Sequence, residues 1–126
     1  MNTSFEFFPP KTEKGKESLL KTAKKLSLFS PEYFSVTYGA GGSTREGTLK
    51  TCVAIKNIGQ EACPHLSGIG ASKTSIKEIL NEYEENGLKR IVALRGDLPS
   101  GLGGLGDFPY ALDLIKLENF YGILLL

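Results

Sequence analysis

Apolar positions along this chain switch between two periods at a regular interval. Ser4–Phe8, Tyr33–Thr37, Glu61–Leu66, Arg90–Leu94 and Phe120–Leu126 are short apolar runs of strand type. Their starts lie about thirty residues apart, the length of one strand-helix-return unit. Between the runs the spacing becomes helical. Leu19, Leu20, Ala23 and Leu26 mark one face of a first helix, with Lys16, Lys21, Lys24 and Lys25 elsewhere on it. Leu49, Cys52 and Val53 begin a second face that closes before Gly59, a natural residue for a helix C-terminus. Ile76, Ile79, Leu80 and Tyr83 mark a third, with Ser72 or Ser75 to cap its start and Asn86-Gly87 to end it. A fourth, short helix is expected from Ala111 to about Glu118.

Ile91-Val92-Ala93-Leu94 is apolar on both faces, as in a parallel sheet covered by helices. The pattern therefore predicts an α/β chain of repeated β/α units with right-handed crossovers. Two architectures carry such a pattern, an open doubly wound sheet and a (β/α)8 TIM-type barrel. Pro9-Pro10 follows the first strand where a dinucleotide-binding fold would place GxGxxG, which favours the barrel. A barrel needs about 250 residues, and 126 residues supply about four and a half units.

Charge changes little. Lys plus Arg number 15 against 14 Asp plus Glu, so no basic face for nucleic acid is implied. Cys52 and Cys63 show no CxxC spacing and read as reduced core thiols. With no signal-type N-terminus and no apolar run of membrane length, the expectation is a soluble cytoplasmic protein without membrane partners.

Chemistry in β/α barrels comes from the C-terminal ends of strands. The first strand carries Glu6 between Phe5, Phe7 and Phe8 and stops at two prolines. An ionised carboxylate among aromatics loses hydration and needs a proton or a partner. The second strand runs into Thr37-Tyr38-Gly39-Ala40-Gly41-Gly42-Ser43-Thr44-Arg45, a glycine-rich loop whose backbone N–H groups could cradle an anion. It lacks the lysine of a P-loop. The third strand ends at His65, the single histidine, and the fourth at Arg95-Gly96-Asp97. Each has a plainer alternative: Glu6 paired with a lysine, the loop a simple connection, His65 a satisfied structural group, Arg95 and Asp97 a mutual ion pair. No Ser-His-Asp order, CxxC or metal set is present. Two acids without a nucleophile or metal suit acid catalysis and cation stabilisation around an organic cofactor.

Ser4–Thr12, Ser35–Arg45, Pro64-His65-Leu66 and Ala93–Pro99 together resemble the 5,10-methylenetetrahydrofolate reductase family in order and spacing, over about residues 3–113. The resemblance implies the N-terminal half of a flavin-binding (β/α)8 barrel over residues 1–126. It implies FAD as cofactor, NADH or NADPH as electron donor, a folate as substrate, and a homo-oligomer for the full-length family. By the same resemblance Glu6 is the general acid, and Asp97 is the acid beside flavin and pterin that also contacts substrate. Thr37 becomes a nicotinamide contact. Tyr38, Ala40, His65, Arg95, Gly96, Asp97 and Ala111 become FAD contacts. The reaction implied is reduction of 5,10-methylenetetrahydrofolate to 5-methyltetrahydrofolate, feeding methionine synthesis.

The family usually reads Tyr-Ala-Ser-Asp where this chain has Tyr110-Ala111-Leu112-Asp113, and the match decays after Leu117. Residues 114–126 are expected to be a truncated or frameshifted tail. The competing reading is a catalytically incompetent fragment or pseudogene product of that family that needs a complementing half. An aldolase-type barrel is a third reading, opposed by the absence of a lysine from the strand cores and their C-terminal rim.

Overall fold

The computed structural model describes residues 2–38, 44–96, 106–117 and 123–125. They form five strands and four α-helices in strict alternation. By internal contacts the chain divides into two compact units, Met1–His65 and Leu66–Leu126.

In the first unit, β1 (Ser4–Phe7), β2 (Tyr33–Val36) and the start of β3 (Ala62–Ser67) pair in parallel. The register sets Glu6 beside Ser35 and Ser35 beside Cys63, and it sets Phe7 beside Val36 and Val36 beside Pro64. Because successive side chains alternate faces, Phe5, Phe7, Phe34, Val36, Ala62 and Pro64 share one face. Ser4, Glu6, Tyr33, Ser35 and Cys63 share the other. On the apolar face the Phe34 ring stacks against Phe5 and Phe7, with centroids 5.8 and 5.7 Å away. Pro9, which has no N–H to donate, follows soon after the end of β1.

Helix α1 (Glu13–Leu26) starts where the Thr12 side chain accepts a hydrogen bond from the Gly15 N–H at 3.0 Å. Glu13 in its first turn and Lys24 and Lys25 in its last complement the helix dipole. It buries Leu19 and Ala23, then tightens into a 3₁₀ turn at Ser27–Phe29 that the periodicity did not predict. Helix α2 (Arg45–Asn57) is capped in the same way by Thr44, which accepts from Gly47 N–H at 3.0 Å. It packs on β2 through a face that buries Thr48, Leu49, Thr51, Cys52 and Ile55. Gly59 ends it in the left-handed region at φ +88°.

In the second unit, α3 (Lys73–Glu85) opens on a reciprocal pair: Ser72 Oγ accepts from Ser75 N–H, and Ser75 Oγ from Ser72 N–H, both at 3.1 Å. Both serines thus share the capping that the sequence left open between them. Ile76, Ile79 and Tyr83 are buried, and Gly87 (φ +74°) closes the helix. Strand β4 (Ile91–Leu94) is buried over Ile91–Ala93 and pairs in parallel with β5 (Ile123–Leu125).

Helix α4 (Ala111–Ile115) is shorter than expected. Leu117 N–H bonds to the Leu114 carbonyl at 3.1 Å, a three-residue closure that tightens the last turn and ends it. Despite Leu112, the start of this helix is intact, since Asp113 accepts from Tyr110 N–H at 2.9 Å. The fifth strand is described over Ile123–Leu125, and the remainder of the expected run, Phe120–Gly122 and Leu126, lies outside the described residues. Cys52 and Cys63 are free and buried. Burial pushes the Cys52 thiol up, and Cys63 adds to this. Among the described residues no helix is long and apolar enough to cross a membrane.

Candidate functional site

The polar face of the first sheet continues one residue beyond the paired register. Thr37, whose N–H donates to the Phe7 carbonyl at 3.0 Å, follows Val36 and so returns to the Glu6 side; His65 follows Pro64 and does the same. Glu6, Thr37 and His65 therefore stand together at the C-terminal ends of three successive parallel strands. His65 Nε2 lies 3.5 Å from Glu6 Oε2. That separation is a close contact rather than a hydrogen bond, and among the described residues Nε2 has no hydrogen-bond partner.

Exposure separates the three. The Glu6 side chain is 48% exposed, whereas Thr37 and His65 are 6% and 3% exposed. The expected enclosure of Glu6 among Phe5, Phe7 and Phe8 is corrected here. Strand alternation turns Phe5 and Phe7 to the opposite face against Phe34, and Phe8 is itself 67% exposed. Its partner is the imidazole, not an aromatic wall.

Thr37 Oγ1 is likewise buried with no hydrogen-bond partner among the described residues. A buried polar atom left unpaired costs roughly 1–3 kcal/mol. Two such atoms on one strand-end face, Thr37 Oγ1 and His65 Nε2, mark where a polar ligand would recover that loss. They fit a cofactor that brings both donors and acceptors.

Burial lowers the His65 pKa, and the Glu6 charge opposes this less strongly. The folded chain thus binds a proton at His65 less readily than the unfolded chain, whose histidine titrates near 6.5. Stability from this group is full above that value and is lost as pH falls toward the folded-state value. In urea unfolding, the midpoint is expected to drop between pH 7.5 and pH 5.5, and the drop to shrink in His65→Gln; equal drops in both chains would refute the assignment.

Two neighbours of these residues were not singled out in the sequence. Thr48, fully buried on α2, donates through Oγ1 to the Thr37 carbonyl at 2.8 Å and fixes the end of β2. A hydroxyl next to Leu49 on an apolar helix face, four residues after the capping Thr44, is the signal that could have found it. Tyr38 is half-buried, and Ala40 with the rest of the glycine-rich loop 39–43 lies outside the described residues.

The second unit holds Arg95, Gly96 and Ala111. The Arg95 guanidinium carbon lies 5.8 Å from the Tyr110 ring centroid, a cation–π arrangement, and Tyr110 is the other neighbour the sequence did not announce. Ser67 Oγ and Ile69 N–H donate to the Arg95 carbonyl at 3.1 and 2.9 Å. Gly96 has φ +86°, and a β-carbon there would overlap the Ser67 side chain, so only glycine fits this turn. Ala111 is the first residue of α4. Asp97 lies outside the described residues.

Parallel β/α units with an acid, an imidazole and a hydroxyl gathered where three strands end define an α/β chain with a polar strand-end site. The pattern of methylenetetrahydrofolate reductases matches residues 1–122. The chain is 47% identical over 123 residues to 5,10-methylenetetrahydrofolate reductase of Pectobacterium carotovorum, which covers 97% of this chain and 41% of that protein. It is 43% identical over 118 residues to the Escherichia coli protein of the same name, covering 93% and 39%. It is 38% identical over 130 residues to methylenetetrahydrofolate reductase (NADH) 1 of Arabidopsis thaliana, covering 95% and 22%. The chain belongs to the methylenetetrahydrofolate reductase family, and it spans about two fifths of the length of the bacterial relatives. A likeness to a universal stress protein from Archaeoglobus fulgidus, with TM-score 0.38 and 22% identity over 98% of this chain and 96% of that one, carries no argument.

Proposed function

We propose that this chain serves the FAD-dependent reduction of 5,10-methylenetetrahydrofolate to 5-methyltetrahydrofolate, with NADH or NADPH as donor, in the supply of methyl groups for methionine. In this reading its β/α units form half of a (β/α)8 barrel. The observation that carries it is the pair of buried polar atoms without hydrogen-bond partners among the described residues, Thr37 Oγ1 and His65 Nε2, beside Glu6 in a chain of this family.

FAD supplies hydride transfer, from the nicotinamide to the methylene carbon of the folate. The chain's residues do the rest. Thr37 offers its hydroxyl to the nicotinamide. Tyr38, Ala40, His65, Arg95, Gly96, Asp97 and Ala111 would hold the FAD. Glu6, reachable from solvent, places a proton on N10 of the folate so that its five-membered ring opens to an iminium. The Asp97 charge stabilises that cation.

Titration of free FAD with the purified chain tests this reading. Flavin fluorescence is expected to quench saturably and weakly, with the flavin lost on gel filtration. Thr37→Val and His65→Ala are expected to weaken the quenching further. The absence of any saturable quenching would overturn flavin binding, and a yellow, stoichiometric complex surviving gel filtration would overturn its weakness.

A further inference from the structure

Glu6 and His65 belong to strands that do not touch. Strand β2 lies between them, and neighbouring strands are about 4.8 Å apart. The two side chains nevertheless meet at 3.5 Å. Small residues on the shared face allow this: Ser35 stands level with Glu6, and Thr37 follows one step further on the same side. Two long side chains thus lean toward each other over a strand that presents only hydroxyls. The His65 side chain is 4% exposed, and its Nε2 has no hydrogen-bond partner among the described residues.

We propose that His65 is a positioning residue for Glu6: the two meet across β2, and the imidazole edge keeps the carboxylate oriented on the strand-end face. The consequence for catalysis rests on the reading of Glu6 as the proton donor, whereas the pairing does not depend on flavin or folate. When Glu6 gives a proton away, the exposed side of its carboxylate takes the next one from solvent.

Other groups near His65 within its unit are weaker candidates. Strand β2 presents Tyr33, Ser35 and Thr37; β3 itself presents Cys63; and α2 presents the buried Cys52, whose thiol is pushed up. Glu6 is the carboxylate in contact, and its charge works against the effect of burial on the imidazole.

His65 is the sole histidine, so the test is an NMR titration of its imidazole in the full chain with no flavin added. In Glu6→Gln the midpoint is expected to move to lower pH, because burial remains and the opposing charge is gone. Glu6→Asp, one methylene shorter, is expected to fall between the two. High salt is expected to move the wild-type midpoint the same way as Glu6→Gln, since Glu6 is half exposed and open to screening. Glu46→Gln, which removes an exposed charge paired with Lys50 on α2, is expected to leave the midpoint in place. Coincident midpoints in wild type and Glu6→Gln, or an equal shift in Glu46→Gln, would overturn the pairing. Either result leaves flavin binding untouched, and failure to bind flavin leaves the titration intact.

Discussion

Glu6→Gln is expected to lower methylene-folate reduction by about 10²- to 10⁴-fold, the contribution of a positioned proton donor. The measurement is made with residues 1–122 of this chain grafted in place of the matching segment of the Escherichia coli relative. Glutamine keeps the shape of Glu6 and cannot protonate the folate nitrogen. Hydride transfer from NADH to an artificial quinone acceptor involves no folate ring opening and is expected to stay near the level of the unmutated graft. That split between the two half-reactions is the signature of the acid. Equal losses in both would mean that the substitution damages binding or folding, and no loss in either would remove Glu6 from the chemistry. Because the Glu6 side chain is 48% exposed and lies on the polar face, little stability is at stake.

Phe34→Ala is expected to be the most damaging single change to the first unit. Its ring is fully buried and stacks on both Phe5 and Phe7. It occupies the middle strand, with Phe5 beside it in β1 and Ala62 beside it in β3. The loss combines transfer of the ring with the cavity left behind, about 3–5 kcal/mol, against a total stability of roughly 5–15 kcal/mol for a domain. Urea unfolding is expected to show a much lower midpoint with an unchanged slope. Phe29→Ala, at a ring 70% exposed in the 3₁₀ turn, is expected to shift it by less than about 0.5 kcal/mol. Similar costs at the two positions would contradict the described core.

Much of the fold was legible because its signals are local. Thr12, Thr44 and Ser72 stand where helix caps are needed, and Gly59 and Gly87 where left-handed closure is needed. The apolar run at Ser4–Phe8 announced the first strand before any partner strand was known. The surroundings of the acid were not legible. Three phenylalanines flank Glu6 in sequence, yet two of them point away from it, and its real neighbour is 59 positions further along the chain. The partner of Thr48 was not legible for the same reason, since it is the carbonyl of Thr37 at the end of β2.

The sequence by itself determined the alternation of strands and helices, the closing glycines Gly59 and Gly87, and the family to which Glu6, Thr37, His65 and Arg95 belong. These depend on periodicity, on capping chemistry and on motif order, all of which are written along one dimension. Only the tertiary structure decided that Glu6 is open to solvent and faces His65 across β2. Only it showed that Thr37 Oγ1 and His65 Nε2 are buried without hydrogen-bond partners among the described residues, and that Arg95 stands over Tyr110. Exposure and pairing depend on which side chains the register brings level and on how much room the intervening residues leave. Here that room comes from Ser35, a small residue whose importance appears only when three strands lie side by side.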